Sequence, residues 1–229
     1  MDTTKIHLQA VRSRIADACL LSQRKERDIV LVAVSKAVPA EKIRCAHAAG
    51  QRHFGESYAQ EALDKMSALA DLGDLIWHFI GPIQSNKTRA IAEHFDWVHA
   101  VDRLKIAERL SSQRPATKPP LDLCIQVNIS GESTKSGVEP AEAGILAQSI
   151  LRLPRLRLRG LMAIPAPTSD RALRKRQLES LTDLQRTLVA QGLSLDTLSM
   201  GMSDDLEEAI SAGSTLLRVG TAIFGPRPL

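Results

Sequence analysis

One pattern recurs along this chain: a short apolar, β-branched run, followed by a stretch whose apolar residues repeat at helical spacing. That alternation implies parallel strands joined by crossover helices, because parallel neighbours need a long return connection. The first run, Ile29-Val30-Leu31-Val32-Ala33-Val34, ends at Ser35-Lys36, and its helix is opened by Pro39, a residue well tolerated in a first helical turn. Further strands are expected over 52–55, 76–80, 96–101, 121–129, 158–164, 195–200 and 215–219. The intervening helices are expected over about 58–72, 86–94, from 103 onward, 139–151, 171–191 and 204–212. Eight such units predict an α/β fold, a single (β/α)8 TIM-type barrel over residues 29–225, preceded by a leading helix within residues 1–26.

The rest of the sequence narrows the class of function. At 229 residues the chain can bury a sizeable core, and 44% apolar with 24% charged residues is an ordinary globular balance. A net charge of +4, from 30 basic and 26 acidic residues, with only 3% aromatics, is a poor basis for nucleic-acid binding, which combines basic faces with stacking rings. Asp2, Lys5, Arg12, Arg14 and Asp17 interrupt the N-terminal apolar pattern, so a signal peptide is not expected, and no run reaches membrane-spanning length. Cys19, Cys45 and Cys124 are odd in number, widely spaced and outside any C-x-x-C pair. They predict neither a disulfide framework nor a metal site, and they fit a reducing cytoplasm.

In barrels of this kind ligands are bound by the loops at the C-terminal ends of the strands. Lys36 follows directly on an apolar strand, where desolvation of its ammonium would free the neutral amine to attack an aldehyde. From position alone, an exposed lysine just past a strand end is the simpler reading. Ser199-Met200-Gly201-Met202-Ser203-Asp204 and Arg218-Val219-Gly220-Thr221 close the last two strands, where glycines and hydroxyls can form a phosphate cup. On pattern alone Ser203 could instead be a helix N-cap, and Gly220-Thr221 a tight turn closing the barrel. His53 and His78 are possible general bases, but His78 lies mid-strand between Trp77 and Phe79, where a hydrogen-bonded barrel histidine is the simpler expectation.

Several uncommon peptides then occur in order. Leu31-Val32-Ala33-Val34-Ser35-Lys36, His53-Phe54-Gly55-Glu56, Trp77-His78-Phe79-Ile80-Gly81-Pro82-Ile83-Gln84-Ser85-Asn86-Lys87, Ser199-Met200-Gly201-Met202-Ser203 and Arg218-Val219-Gly220-Thr221-Ala222-Ile223-Phe224-Gly225 resemble the pyridoxal-phosphate homeostasis protein family. The resemblance implies a fold-type III barrel similar to the N-terminal domain of alanine racemase. It also implies pyridoxal 5'-phosphate held as an internal aldimine on Lys36, with phosphate contacts from Ser203, Gly220 and Thr221 and with Arg218 facing the pyridine nitrogen. One departure stands out: the family pattern has asparagine after Phe-Gly-Glu, whereas this chain has Ser57, which is shorter and lacks the amide. The segment from Asn128 to Gly137 is similar to the family's strand-five loop, and its Lys135 is a candidate for a second aldimine or an anion contact, or else a solvated loop lysine.

Three functions remain to be separated: a non-catalytic protein that buffers and delivers the cofactor, an amino-acid racemase or related enzyme, and, more distantly, a Schiff-base aldolase. In the barrel racemases that the resemblance brings in, a second domain supplies a tyrosine opposite the lysine. This chain runs to Leu229, a few residues past the last barrel element, and its one tyrosine is Tyr58, at the start of a helix. The expectation is therefore a carrier that makes transient contact with apo forms of pyridoxal-phosphate enzymes, and the family resemblance implies that it is a monomer.

Overall fold

In the computed structural model, which describes residues 3–132 and 136–226, eight parallel strands hydrogen-bond in sequence order and β8 closes on β1. They are β1 (Val30–Val34), β2 (His53–Glu56), β3 (Ile76–Phe79), β4 (Trp97–Val101), β5 (Leu121–Gln126), β6 (Leu156–Met162), β7 (Thr197–Ser199) and β8 (Leu216–Val219). Between them run α2 (Ala40–Ala48), α3 (Ala59–Ala68), α4 (Thr88–His94), α5 (Leu104–Gln113), α6 (Ala143–Ile150), α7 (Arg171–Ala190) and α8 (Leu206–Ser211). The chain begins with α1 (Thr3–Leu21) and its last helix is the short α9 (Thr221–Phe224). The predicted closed (β/α)8 barrel with a leading helix is the observed fold.

Two chemically different interiors follow from strand alternation. Outward-facing strand residues and the inner faces of the helices form an aliphatic layer that includes Ile43, Ile91, Ile106, Leu110, Leu123, Leu161, Leu178 and Leu217, all fully buried. Removing a buried leucine or isoleucine from such a layer costs about 2–5 kcal/mol. Inside the barrel the residues are largely polar. His99 on β4 meets Ser199 on β7 at 2.7 Å, and these strands are not neighbours in the sheet, so the contact crosses the lumen. At the opposite end from the loops, Asp122 pairs with Arg157 and Arg159, and Arg159 Nη2 meets Asp196 at 2.7 Å while its guanidinium stacks over Trp97. An ion network therefore closes the barrel floor.

Several element ends differ from the sequence expectation, each for a local reason. β5 stops at Gln126 because Val127 bridges to Val138 and the Asn128 amide donates to the Glu132 carbonyl at 2.9 Å, which turns the chain. α8 begins at Leu206 because the Asp205 carboxylate accepts the Met202 N–H at 2.6 Å and holds 202–205 as a turn. Ser203 is consequently not the N-cap of that helix. Gly220 does not close a tight turn either; it leads into α9. The leading helix α1 packs on α2, α8 and α9. Among the described residues no helix is long and apolar enough to cross a membrane.

Candidate functional site at the barrel mouth

A cavity of about 290 Å3 opens where β1, β7 and β8 end, and Lys36, Ser57, Ser203, Asp204, Arg218 and Thr221 all line it. That volume lies at the small end of the range for small-molecule pockets, about 300 to 1,000 Å3. Its apolar wall comes from Val34, Val38, Ile80, Ile164 and Phe224. All five residues that the sequence singled out for a cofactor are thus brought to one place, with Gly220 lining the same cavity.

Lys36 is half-buried in the turn after β1, and that turn is fixed from behind. The Lys65 ammonium, on α3, donates to the Ser35 carbonyl at 2.6 Å and bridges Glu56 Oε1 at 2.8 Å and Glu61 Oε1 at 2.6 Å. Ser35 Oγ donates to the same Glu56 oxygen at 2.6 Å, and the Ala37 N–H donates to Glu61 at 2.6 Å. Ala37 adopts φ of +58°, a left-handed conformation that an alanine holds only under such constraint. Burial pushes the Glu56 carboxyl above its ordinary range, opposed by the bonds from Lys65 and Ser35. Composition gives no signal for this cluster; Lys65 looks like any helical lysine until the fold brings α3 beneath β1.

Arg218 is buried in β8 and donates through Nη1 to the Ser199 carbonyl at 2.6 Å and to Ser199 Oγ at 2.7 Å, and through Nη2 to the Ala163 carbonyl at 3.0 Å. Three of its five N–H donors are thereby committed, which fixes the plane of the guanidinium. Burial lowers its pKa to about 10, partly offset by Asp205, so it remains a cation at neutral pH.

The two glycine-containing loops are joined to each other and to α1. Ser203 Oγ accepts the Ala222 N–H at 3.3 Å, so the loop after β7 holds the first turn of α9. Arg14 on α1 donates to the Ser203 carbonyl at 3.0 Å and pairs with Glu207 at 2.7 Å, and His7 contacts the Ile223 carbonyl at 3.3 Å. Gly201, at φ of +96°, is required sterically: a Cβ there would fall 2.5 Å from that of Ala209. The Thr221 hydroxyl has no protein partner among the described residues, and the Ser203 hydroxyl keeps its proton uncommitted. Both are available to an anion.

Other residues of the quoted peptides lie elsewhere. Tyr58 is 62% exposed and does not line the cavity. Gln84, Asn86 and Lys87 also lie outside its lining, in and just before a 3-10 turn leading into α4. His53 and His78 sit in the lumen below the mouth, and Lys135 falls outside the described residues.

Comparison with known proteins identifies the family. The family described as "Alanine racemase, N-terminal domain" matches residues 6–228. A Pseudomonas aeruginosa protein named "Pyridoxal phosphate homeostasis protein" is 57% identical, covering 99% of this chain and 97% of its own length. A protein of the same name from Escherichia coli K12 is 54% identical over 96% and 95% of the two chains. PipY of Synechococcus elongatus, solved with PLP bound, superposes with a TM-score of 0.83 at 40% identity, covering 94% of this chain and all of that one. The chain therefore belongs to the pyridoxal phosphate homeostasis protein family, built on the alanine racemase N-terminal barrel.

Proposed function

We propose that this protein binds pyridoxal 5'-phosphate through Lys36 at the barrel mouth and buffers or delivers it without turning over a substrate. The observation that carries this reading is the convergence, in one cavity, of a lysine amine, two hydroxyls with uncommitted protons and a buried arginine. The bound cofactor brings an aldehyde that condenses with a primary amine, with loss of water. Lys36 is the amine on this wall of the cavity, and the tethered turn behind it limits how far Nζ can wander. Ser203, Gly220 and Thr221 would hold the phosphate: a small residue at 220 lets the anion approach the backbone, and the hydroxyls donate to it.

Arg218 is the residue that sets what the site can do. A permanent cation beside the pyridine nitrogen would oppose protonation there and make the ring a weaker electron sink, which favours holding the cofactor over using it. Tyr58, exposed and outside the lining, is not placed to act as an opposing acid. The names of the relatives support the same reading, a protein for cofactor homeostasis.

The test has two arms. Cofactor added to the purified protein should give a red-shifted absorption band that Lys36→Ala abolishes. The loaded protein should restore activity to apo forms of pyridoxal-phosphate enzymes faster than free cofactor does in the presence of a scavenger. It should also leave amino acids unexchanged in deuterated water; exchange at ordinary enzyme rates, about 1 to 1,000 per second, would overturn the carrier reading.

A further inference from the structure

Three histidines that the cofactor reading does not use lie in a row inside the barrel, each joined to the next through ring nitrogens. His53 Nδ1 lies 2.9 Å from His78 Nε2, His78 Nδ1 lies 2.9 Å from His99 Nε2, and His99 Nδ1 lies 2.7 Å from Ser199 Oγ, which in turn takes the bond from Arg218. His78, His99 and Ser199 are fully buried. The chain spans the lumen from the mouth to His53, which borders a cavity at the barrel floor together with Arg27, Trp97, Arg159 and Asp196.

The direction of every bond in this chain follows from its upper end. Arginine has no acceptor, so Ser199 Oγ must accept from Arg218. The serine hydroxyl then has one proton to place, and the only other side-chain contact of Ser199 Oγ among the described residues is His99 Nδ1. If His99 carried its proton on Nδ1, Ser199 would accept twice and its own proton would be stranded in a dry interior, at a cost of about 1–3 kcal/mol. Ser199 therefore donates to His99 Nδ1, His99 Nε2–H to His78 Nδ1, and His78 Nε2–H to His53 Nδ1. Each imidazole then turns its unprotonated nitrogen toward Arg218, so the dipoles together stabilise a buried cation that donates to no carboxylate among the described residues. Burial holds His78 and His99 well below the ordinary histidine pKa, with Arg218 adding to the effect at His99, so both are neutral.

We propose that His53, His78, His99 and Ser199 are positioning residues for Arg218: a hydrogen-bonded chain of one polarity, with every histidine neutral and protonated on Nε2, that fixes the guanidinium in the cavity. The consequence for binding rests on the cofactor reading above; the polarity of the chain does not. Three polar rings where a barrel lumen ordinarily holds branched aliphatics make sense if the orientation of the cation at the top is what they secure.

Histidine side-chain 15N resonances of the ligand-free protein test the chain directly. His78 and His99 should appear as fixed neutral Nε2–H tautomers. A Nδ1–H tautomer, tautomer averaging or an imidazolium at neutral pH would overturn the proposal. Ser199→Ala should release His99 into tautomer averaging, weaken cofactor retention about two- to tenfold and shift the bound-cofactor absorption, as expected for one lost hydrogen bond that orients Arg218. His99→Asn keeps an acceptor near the Nδ1 position and should retain parental binding, whereas His99→Leu should bind as weakly as Ser199→Ala. Parental affinity and spectrum in Ser199→Ala would overturn the positioning role, and this smallest change decides it if His99→Leu does not fold. A parent protein that bound no cofactor would defeat the cofactor reading, while the tautomers would still decide the polarity of the chain.

Discussion

The Lys65 ammonium donates to the Ser35 carbonyl, 2.6 Å away, one residue before Lys36, while its other contacts are Glu56 and Glu61. A buried ion cluster thus grips the backbone on one side of Lys36, and Glu61 grips it on the other through the Ala37 N–H. Lys65→Met would leave the Glu56 carboxyl buried without its cation, which costs about 3–5 kcal/mol. Combining Lys65→Met with Glu56→Gln removes the uncompensated charge and should recover a large part of that loss. Urea unfolding of the two variants checks this, and equal destabilisation in both would show that the charge is not the issue.

The lumen histidines predict an acid-sensitive fold. Burial depresses the pKa of His78 and His99 in the folded state, so the unfolded chain takes up protons first as pH falls. Stability is full above the ordinary histidine value of about 6.5 and is lost below it. Each neutral histidine contributes a slope of about 1.4 kcal/mol per pH unit, or about 2.7 kcal/mol for the pair. Unfolding free energies measured between about pH 6.5 and the carboxylate range near 4.5 should show this steep fall. His78→Gln should flatten it by about one proton; an unchanged slope would mean that His78 is not kept neutral.

Ser203→Ala and Thr221→Val each remove a hydroxyl from the end of the cavity proposed to hold the phosphate. A hydrogen bond to a charged group contributes about 1.5–3 kcal/mol, so each change should weaken pyridoxal 5'-phosphate by roughly ten- to a hundredfold. Pyridoxal, which lacks the phosphate, should bind all three proteins alike. Ser203 also accepts the Ala222 N–H, so its replacement should cost slightly more folding stability than that of Thr221. Matched losses for both ligands would point to a disturbed loop.

The barrel was legible in the sequence because each strand carries its own short run of β-branched residues, and each crossover its own helical repeat. Lys36, Ser203, Arg218, Gly220 and Thr221 were legible as a group because strand ends converge by topology and the surrounding peptides resemble one family. What the sequence hid depends on distance in space. Nothing local says that Lys65 will reach Ser35, 30 positions earlier, or that Arg14 will hold the Ser203 carbonyl from the leading helix. The sequence offers His53 and His78 as candidate bases or barrel histidines, but the chain they form needs His99 and Ser199. The alternation Trp97-Val98-His99-Ala100-Val101 already carried that signal, with Trp97 and His99 on one face of β4. Helix ends depart from the sequence expectation where a side chain builds a turn, as Asp205 does at Met202.

The central claim, that Lys36 carries the cofactor, is tested most directly by reducing the loaded protein with borohydride and mapping the modified peptide by mass spectrometry. The label should be fixed on Lys36, at close to one per chain, and should disappear in Lys36→Ala while that variant keeps the thermal transition of the parent. A label confined to another lysine, such as Lys135, with Lys36→Ala modified as fully as the parent, would contradict the account.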